Sequence, residues 1–231
     1  MLSFSPSIDD AVTRIAPDFR ALSILVENAR VTEPGIGPAQ LQAACQEVQH
    51  SLPAWAQAHI DAWHEVYKAF GAKPKRTPCS ADALLKRVLR DGAISPIDPV
   101  VDLYNAISIR YALPVGGENL SAYCGQPRLT VARGDEPFDV IKAGLPVTEY
   151  PQAGEVIWRD DTGVTCRRWN WRQGVRTRLS AENEKMWFIL ESLSPMPPEA
   201  LYNAGEALTN GLAAMMPQAS ITMLPCGNFA E

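Results

Sequence analysis

Three short runs rich in β-branched and aromatic residues lie close together between residues 156 and 190, and they restrict the fold more than any other feature. The runs span residues 156–159, 164–171 and 186–190. Asp161 and Gly163 stand between the first two runs, which is a hairpin signal. Strands linked by a hairpin pair antiparallel, so this part of the chain predicts an antiparallel meander.

The segments before and after this meander predict helices and further strands. Helical patterns cover residues 7–15, 38–52, 53–70, 81–90, 100–111 and 199–216. Strands are predicted over residues 20–27, 129–132, 138–141 and 220–224, and a loop over residues 144–154. Helices come first, then a run of strands, then a helix, which is typical of an α+β fold with a largely antiparallel sheet flanked by helices. The short connections predict one domain over residues 1–231.

The composition limits the partners and the compartment. Charged residues make up 20% of the chain and the net charge is −5, so binding to a polyanion needs a local basic patch. Five cysteines without metal-type spacing predict reduced thiols. No apolar run approaches the ~20 residues of a membrane span, and the first residues (MLSFSPSIDD) lack the features of a signal peptide. We therefore expect a cytoplasmic protein with no membrane partner and no DNA partner.

Sequence motifs of several common enzyme classes are absent. There is no glycine-rich dinucleotide motif, no phosphate-binding loop and no nucleophile-elbow motif. His50, His59 and His64 all fall in the early helical region, and the last two do not have the spacing that places two ligands on one helix face. We predict satisfied or solvent-facing histidines, no metal and no cofactor.

Other candidate catalytic side chains have structural explanations. Cys166 is predicted to be a small packing residue rather than a nucleophile. Asp160 and Asp161 are typical of a turn. A chemical role stays open for Glu118, beside a double glycine, and for Glu149. Catalytic residues are therefore unassigned, and any hydrolysis would depend on positioned water and backbone donors.

The run 164–171 carries an unusual number of cations and indoles for a strand. Alternation along a strand would place Cys166, Arg168, Asn170 and Arg172 on one face and Thr165, Arg167, Trp169 and Trp171 on the other. A strand that only packs a core would not contain so many arginines, so the run predicts a recognition surface. Two interpretations stay open for the cations and for the indoles. The arginines meet a phosphate or pair with Asp160, Asp161 or Glu155, and the indoles stack on a base or anchor the core.

A second cationic segment lies between residues 73 and 90. It begins in a loop and continues along the polar side of the helix predicted over 81–90. Its cations are Lys73, Lys75, Arg76, Lys86, Arg87 and Arg90. Such a segment is either a solvated loop and helix face or a polyanion-binding patch.

Residues 101–120 (VDLYNAISIRYALPVGGENL) and 163–173 (GVTCRRWNWRQ) resemble the B3/B4 domain of the phenylalanyl-tRNA synthetase beta subunit, in its free-standing form. The resemblance covers roughly residues 80–193, and residues 80–231 are taken as the part of the chain that contains its core. The N-terminal strand and helical part, 1–79, resembles the free-standing proteins only. The resemblance implies an α+β fold with a pocket between helices and sheet. In the synthetase, this domain hydrolyses tyrosine wrongly attached to the phenylalanine tRNA.

The chain agrees with the family pattern at some positions and departs from it at others. The agreeing residues are Val101, Asp102, Asn105 and Pro114. Gly116 or Gly117 takes the place of a pocket-lining histidine, and the bulkier, more cationic residues 168–173 take the place of a glycine-rich turn. These departures point to a ligand of a different shape from a tyrosyl group, for which an anionic group is one option.

Two functions are predicted on this basis. The first is an RNA-interacting domain that binds the acceptor end of an aminoacyl-tRNA and hydrolyses a mischarged amino acid in trans. The second is a non-catalytic binding module for a small amino-acid-like or nucleotide-like ligand, with Arg168 and Arg172 holding a carboxylate or phosphate. The predicted pocket residues are Asn105, Gly116, Gly117, Glu118, Arg168, Asn170 and Gln173, and the predicted tRNA-backbone contacts are Lys73, Lys75, Arg76 and Lys86. Asn170 and Gln173 would orient ligand or water, and the two glycine amides would donate to a carbonyl or oxyanion.

Overall fold

The computed structural model describes residues 4–227, over which six α-helices and eleven strands form. The helices are α1 (Asp10–Ile15), α2 (Ile36–His50), α3 (Ala56–Ala69), α4 (Ser80–Asp91), α5 (Pro99–Tyr111) and α6 (Pro198–Met215). The first strands are β1 (Ser7–Ile8), β2 (Arg20–Glu27), β3 (Val115–Asn119), β4 (Arg128–Val131), β5 (Phe138–Lys142) and β6 (Leu145–Glu149). The remaining strands are β7 (Val156–Arg159), β8 (Val164–Arg167), β9 (Arg172–Gln173), β10 (Met186–Ser192) and β11 (Ser220–Gly227).

The strands form two main sheets and one hairpin. One sheet has the order β11-β2-β10-β3, the other has the order β1-β4-β7-β8-β9, and β5 pairs with β6 alone. The pair β1–β4 is parallel, and the other strand pairs within residues 4–227 are antiparallel. The predicted α+β fold with a largely antiparallel sheet is therefore confirmed.

The four-stranded sheet separates two cores. On one side, Leu22 and Ile24 of β2 pack with α5 and α6. On the other side, Trp187 of β10 packs with Trp158 of the second sheet, with the ring centroids 5.3 Å apart. Burial of large aromatic side chains between two sheets contributes a large part of the hydrophobic stabilisation. This packing leaves a space between the sheets that α4 and α5 border at one edge.

Local sequence explains why α5 begins where it does. The Asp98 carboxylate accepts hydrogen bonds from the backbone N–H groups of Val100 and Val101, and Pro99 occupies the first helical position. An aspartate cap followed by proline is a strong helix start. The start of α5 fixes the register that directs Tyr104 and Asn105 toward the space between the sheets.

The predicted strand over 164–171 is wrong in its second half. β8 ends at Arg167, because Arg168 and Trp169 adopt positive φ angles of 47° and 65° and reverse the chain. The reversal inserts the Trp169 ring into the core, 5.0 Å from the Phe19 ring and 5.4 Å from the Trp63 ring. Burial of an indole outweighs the strain of two left-handed residues. The predicted alternation of two faces therefore fails beyond Arg167.

Several element boundaries also differ from prediction. The helix predicted over 7–15 begins at Asp10, because Ser7 and Ile8 pair with β4. The loop predicted over 144–154 contains β6, which pairs with β5. All five cysteines are unpaired. Among the described residues, no helix has both the length and the apolar character needed to cross a bilayer.

Candidate functional site

A cavity of about 270 Å³ lies between the two sheets and is bordered at one edge by α4 and α5. Five of the predicted pocket residues line it: Asn105, Gly116, Glu118, Asn170 and Gln173. Arg168 and Gly117 do not line it, although the Gly117 carbonyl accepts a hydrogen bond of 3.0 Å from the Gln173 side chain. The structure therefore brings together most of the predicted set, whose function stays a prediction.

Glu191 occupies one end of this cavity and is 1% exposed. Its Oε1 accepts hydrogen bonds from Trp158 Nε1 (2.9 Å) and Trp169 Nε1 (3.1 Å), and its Oε2 accepts one from Asn170 Nδ2 (2.9 Å). The Tyr67 hydroxyl donates to Asn170 Oδ1 at 2.8 Å, which fixes the amide. Burial raises the pKa of Glu191 to about 7, although the three donors oppose this change.

Glu118 occupies the other end and is 4% exposed. The Thr177 hydroxyl donates to Glu118 Oε1 at 3.3 Å, whereas Oε2 has no hydrogen-bond partner within residues 4–227. Burial raises the pKa of Glu118 to about 8, and the nearby hydroxyl groups of Thr177 and Thr165 reduce the effect. A buried carboxyl oxygen without a partner is costly, and because Glu118 lines the cavity, a donor on a ligand there would supply the missing hydrogen bond.

The distance between the two acidic ends follows from the strand register. Glu118 lies opposite Trp187 on β10, and Glu191 lies four positions further along the same strand. At a rise of roughly 3.3 Å per residue, the Cα atoms of the two ends are about 13 Å apart along the strand. Trp187 and Ile189 line the floor between them. The cavity is therefore an elongated apolar slot with a carboxyl group at each end.

The cavity opens beside α4. Ser80, Ala83 and Leu84 of this helix line it, and Ala83 is exposed. Arg87 follows Ala83 and Leu84 by four and three positions, so it lies on the same face of α4 as they do. Ser80 donates its backbone N–H to the Asn170 carbonyl at 3.1 Å, which ties α4 to the Glu191 end. The mouth is thus at the start of α4.

The cations of the 164–172 region are mostly engaged with carboxylates. Arg167 forms hydrogen bonds of 2.9 and 2.8 Å with Glu155. The Arg168 guanidinium lies 4.6 Å from the Trp171 ring centroid and 3.6 Å from Glu155. Ion pairing with Glu155 is therefore the alternative that holds for these two arginines. Arg172 differs, because it lines the cavity.

The two indoles of this region have different environments. Trp169 is fully buried and anchors the core, so it cannot stack on a base. Trp171 is half-buried and lines the cavity. Both rings line the cavity, but of the two only Trp171 is partly exposed.

The predicted tRNA contacts lie on the surface next to the cavity mouth. Lys73, Lys75 and Arg76 are exposed in the turn that precedes α4. Lys86 is also exposed, and its Nζ lies 2.7 Å from the Asp82 carboxylate. Three of the four predicted cations therefore lie within one short turn before the helix that opens the cavity.

His59 and Cys166, which were predicted to have structural roles, are both buried. His59 is buried, with Nδ1 2.9 Å from the Ala112 carbonyl, while Nε2 accepts hydrogen bonds from Trp63 Nε1 and the Leu193 N–H. Burial lowers the pKa of His59 to about 4, so the ring is neutral. Burial raises the pKa of the Cys166 thiol well above its usual value, which makes it a poor nucleophile. No group of three or more metal-ligating side chains occurs in the part of the chain that the structure describes.

A family model described as the B3/4 domain matches residues 62–209, which is more than half of the chain. The chain belongs to the B3/4 domain family. The matched region contains every residue that lines the cavity, from Ser80 to Glu191. It begins earlier and ends later than the resemblance seen in the sequence.

One solved structure similar to this B3/4 domain is an N-terminal fragment of the phenylalanyl-tRNA synthetase beta-subunit from Pyrococcus horikoshii. The match has a TM-score of 0.49 and 10% sequence identity, and it covers 98% of this chain. The chain spans 55% of the length of that fragment. No curated protein matches the chain.

Sequence reasoning missed the Glu191 end of the cavity in this B3/4 domain. A signal for it exists, because Glu191 is the lone charged residue in the strand sequence MWFILES. A charged side chain in a strand that is buried on both faces needs hydrogen-bond or ion-pair partners. Such a residue is rare in a core, so it indicates a candidate functional site. Its partners could not be found from sequence, since Trp158 and Trp169 are far from it in the chain.

Proposed function

We propose that this B3/4 domain binds the acceptor end of an aminoacyl-tRNA and hydrolyses the ester of a mischarged amino acid in trans, in the cytoplasm. The observation that carries the proposal is the size and position of the cavity. A volume of about 270 Å³ equals roughly nine water volumes, which is the space of one amino acid. The cavity opens beside α4, next to exposed cations.

The basic turn before α4 supports an approach of RNA from this side. Lys73, Lys75 and Arg76 are exposed there and are suited to contact phosphates. Arg87 lies on the face of α4 that borders the cavity, and Arg172 lines the cavity itself. In this arrangement the phosphates of the acceptor end stay outside while the amino acid enters the slot.

The chemistry rests on positioned water rather than on a side-chain nucleophile. Glu191 lines the cavity with a pKa of about 7, which suits a group that takes a proton from water at neutral pH. Asn170 is held between Tyr67 and Glu191, so it orients the carboxylate rather than the ligand.

The two predicted backbone donors are not directed into the cavity. The Gly117 carbonyl and the Asn119 N–H point away from β10. Alternation along the antiparallel ladder then directs the Gly116 N–H to β10 and the Gly117 N–H to the free edge. Gly117 does not line the cavity, so the proposed chemistry does not depend on an oxyanion donor from either glycine.

The test is a deacylation assay on a panel of correctly charged and mischarged tRNAs. Wild type should hydrolyse at least one mischarged tRNA, and Glu191→Gln should reduce that rate by about 100-fold with tRNA binding unchanged. The exposed Glu182→Gln variant is the matched control and should behave as wild type. Absence of hydrolysis on the whole panel would refute the proposal.

A second candidate is a binding module without catalysis. It is favoured by the environment of Glu191, whose two oxygens already accept three hydrogen bonds and leave little capacity for water. This function predicts that a free amino acid or nucleotide raises the melting temperature while no ester is hydrolysed. Turnover of any aminoacyl-tRNA would exclude it.

A further inference from the structure

The Glu118 end of the cavity has an unmet hydrogen-bonding requirement. Glu118 Oε1 accepts from the Thr177 hydroxyl at 3.3 Å, but Oε2 lacks a partner anywhere in the described residues. The side chain is buried and borders the cavity. A ligand that fills the slot therefore meets a carboxyl group with one unpaired oxygen, at the end farthest from α4.

Glu118 lies near aromatic side chains, and the nearby cation that could neutralise its charge is already paired with another carboxylate. Tyr104 and Trp187 line the same cavity, and Trp187 lies opposite Glu118 on β10. Arg176 is the cation that acts on Glu118, but its guanidinium forms hydrogen bonds of 2.8 and 2.9 Å with Asp160 and one of 2.7 Å with the Ala122 carbonyl. Aromatic rings together with a carboxylate form a favourable site for a cation.

The groups that face Glu118 come from several elements. Tyr104 is on α5, Thr165 and Cys166 are on β8, Asp160 follows β7, and Arg176 and Thr177 follow β9. Two of these are hydroxyl donors, and the guanidinium is committed to Asp160. The site thus has capacity for one more positive group.

We propose that the Glu118 end of the cavity binds a protonated amine at the tip of the ligand's side chain, so that the domain selects aminoacyl groups with a lysine-like side chain. This inference rests on the proposed function, because it names the substrate class of the same cavity. The roughly nine non-hydrogen atoms that the cavity can hold correspond to the size of one lysyl group. The ester end of the ligand would lie at the mouth beside α4, and the amine would lie against Glu118.

Binding of the amine has a proton balance that can be measured. At pH 7, a carboxyl group with a pKa of about 8 is largely protonated. The incoming ammonium keeps its own proton and pairs with the carboxylate, so the carboxyl proton leaves to solvent. About 0.9 proton per ligand is then released at pH 7. A residue with a purely structural role would release none.

The experiment is calorimetric titration at pH 7 in two buffers of different ionisation enthalpy. The probes are L-lysine amide, L-norleucine amide, which has the same four-carbon side chain without the amine, and L-tyrosine amide. A charge-assisted hydrogen bond predicts that wild type binds the lysine probe about 10- to 100-fold more tightly than the norleucine probe, with proton release. Glu118→Gln should abolish both the preference and the proton release, whereas Glu182→Gln should keep both.

Two results would overturn the inference. One is norleucine or tyrosine amide binding as tightly as lysine amide to wild type, and the other is a Glu118→Gln variant that keeps the preference. Thermal unfolding of Glu118→Gln at pH 6 establishes that the variant is folded. The probes carry neither tRNA nor ester. Lysine selectivity without deacylation therefore upholds this inference and refutes the editing proposal, and deacylation without lysine selectivity does the reverse.

Discussion

Glu118→Gln should stabilise the domain at alkaline pH and leave its stability nearly unchanged at acidic pH. The reason is the burial of Glu118, which raises its pKa from an ordinary value of 4.5 to about 8. Glutamine has nearly the same shape as the protonated carboxyl group and cannot ionise. The variant therefore resembles wild type when Glu118 is protonated and avoids a buried charge when it is not.

The sign and size of the effect follow from proton linkage. Between pH 4.5 and about 8, the folded domain holds a proton on Glu118 that the unfolded chain has released. The contribution of this group is present in full below pH 4.5 and is lost as the pH rises to about 8. Each pH unit in this window removes about 1.4 kcal/mol from the free energy of unfolding, which sums to roughly 4–5 kcal/mol.

The assay is urea unfolding of wild type, Glu118→Gln and the surface control Glu182→Gln at pH 5, 7 and 9. At pH 9 the Glu118→Gln variant should exceed wild type by roughly 4 kcal/mol, with a melting temperature about 10 °C higher. The control should follow wild type at every pH. Parallel curves for Glu118→Gln and wild type over this range would show that Glu118 is not a buried, protonated carboxyl group.

Other predictions concern the core, the surface and the thiols. Trp169→Ala should lower the free energy of unfolding by about 3–5 kcal/mol. Trp171→Ala should lower it by clearly less, because only the Trp169 ring is fully buried. Equal losses for the two variants in urea unfolding would contradict this. Arg76→Ala should weaken tRNA binding uniformly across sequences and reduce the salt slope by about one, and an unchanged slope would place RNA elsewhere. A thiol reagent at pH 8 should label exposed Cys124 in the native protein and spare Cys166, whose pKa is raised by burial, as mass spectrometry of the peptides can test.

The sequence was sufficient to predict an element wherever the local pattern and the tertiary environment favour the same structure. The strands Arg20–Glu27 and Val156–Arg159 were predicted with their observed boundaries. The helix Pro99–Tyr111 was predicted to within one residue, because a proline start and an apolar pattern are local properties. Asn105 was singled out because it is a polar residue among apolar neighbours in a helix, and Glu118 because it follows a double glycine.

The sequence was insufficient to predict the backbone conformation wherever a contact between residues distant in the chain determines it. The run 164–171 has strand composition throughout, but its second half turns because the Trp169 ring packs between Phe19 and Trp63. The same reversal moves Arg168 away from the cavity and brings Asn170 to Glu191. Gly116 and Gly117 belong to a strand, because β10, which comes much later in the chain, pairs with this segment.

By itself, the sequence determined the α+β class, the order of the six helices and the resemblance to the B3/B4 domain, because these depend on periodicity, turn residues and local motifs. The tertiary structure alone decided that the cavity has a carboxyl group at each end and that Arg167 and Arg168 are engaged with Glu155. The charge and protonation of a buried group depend on which distant donors and cations surround it. Those neighbours become known only once the two sheets have packed together.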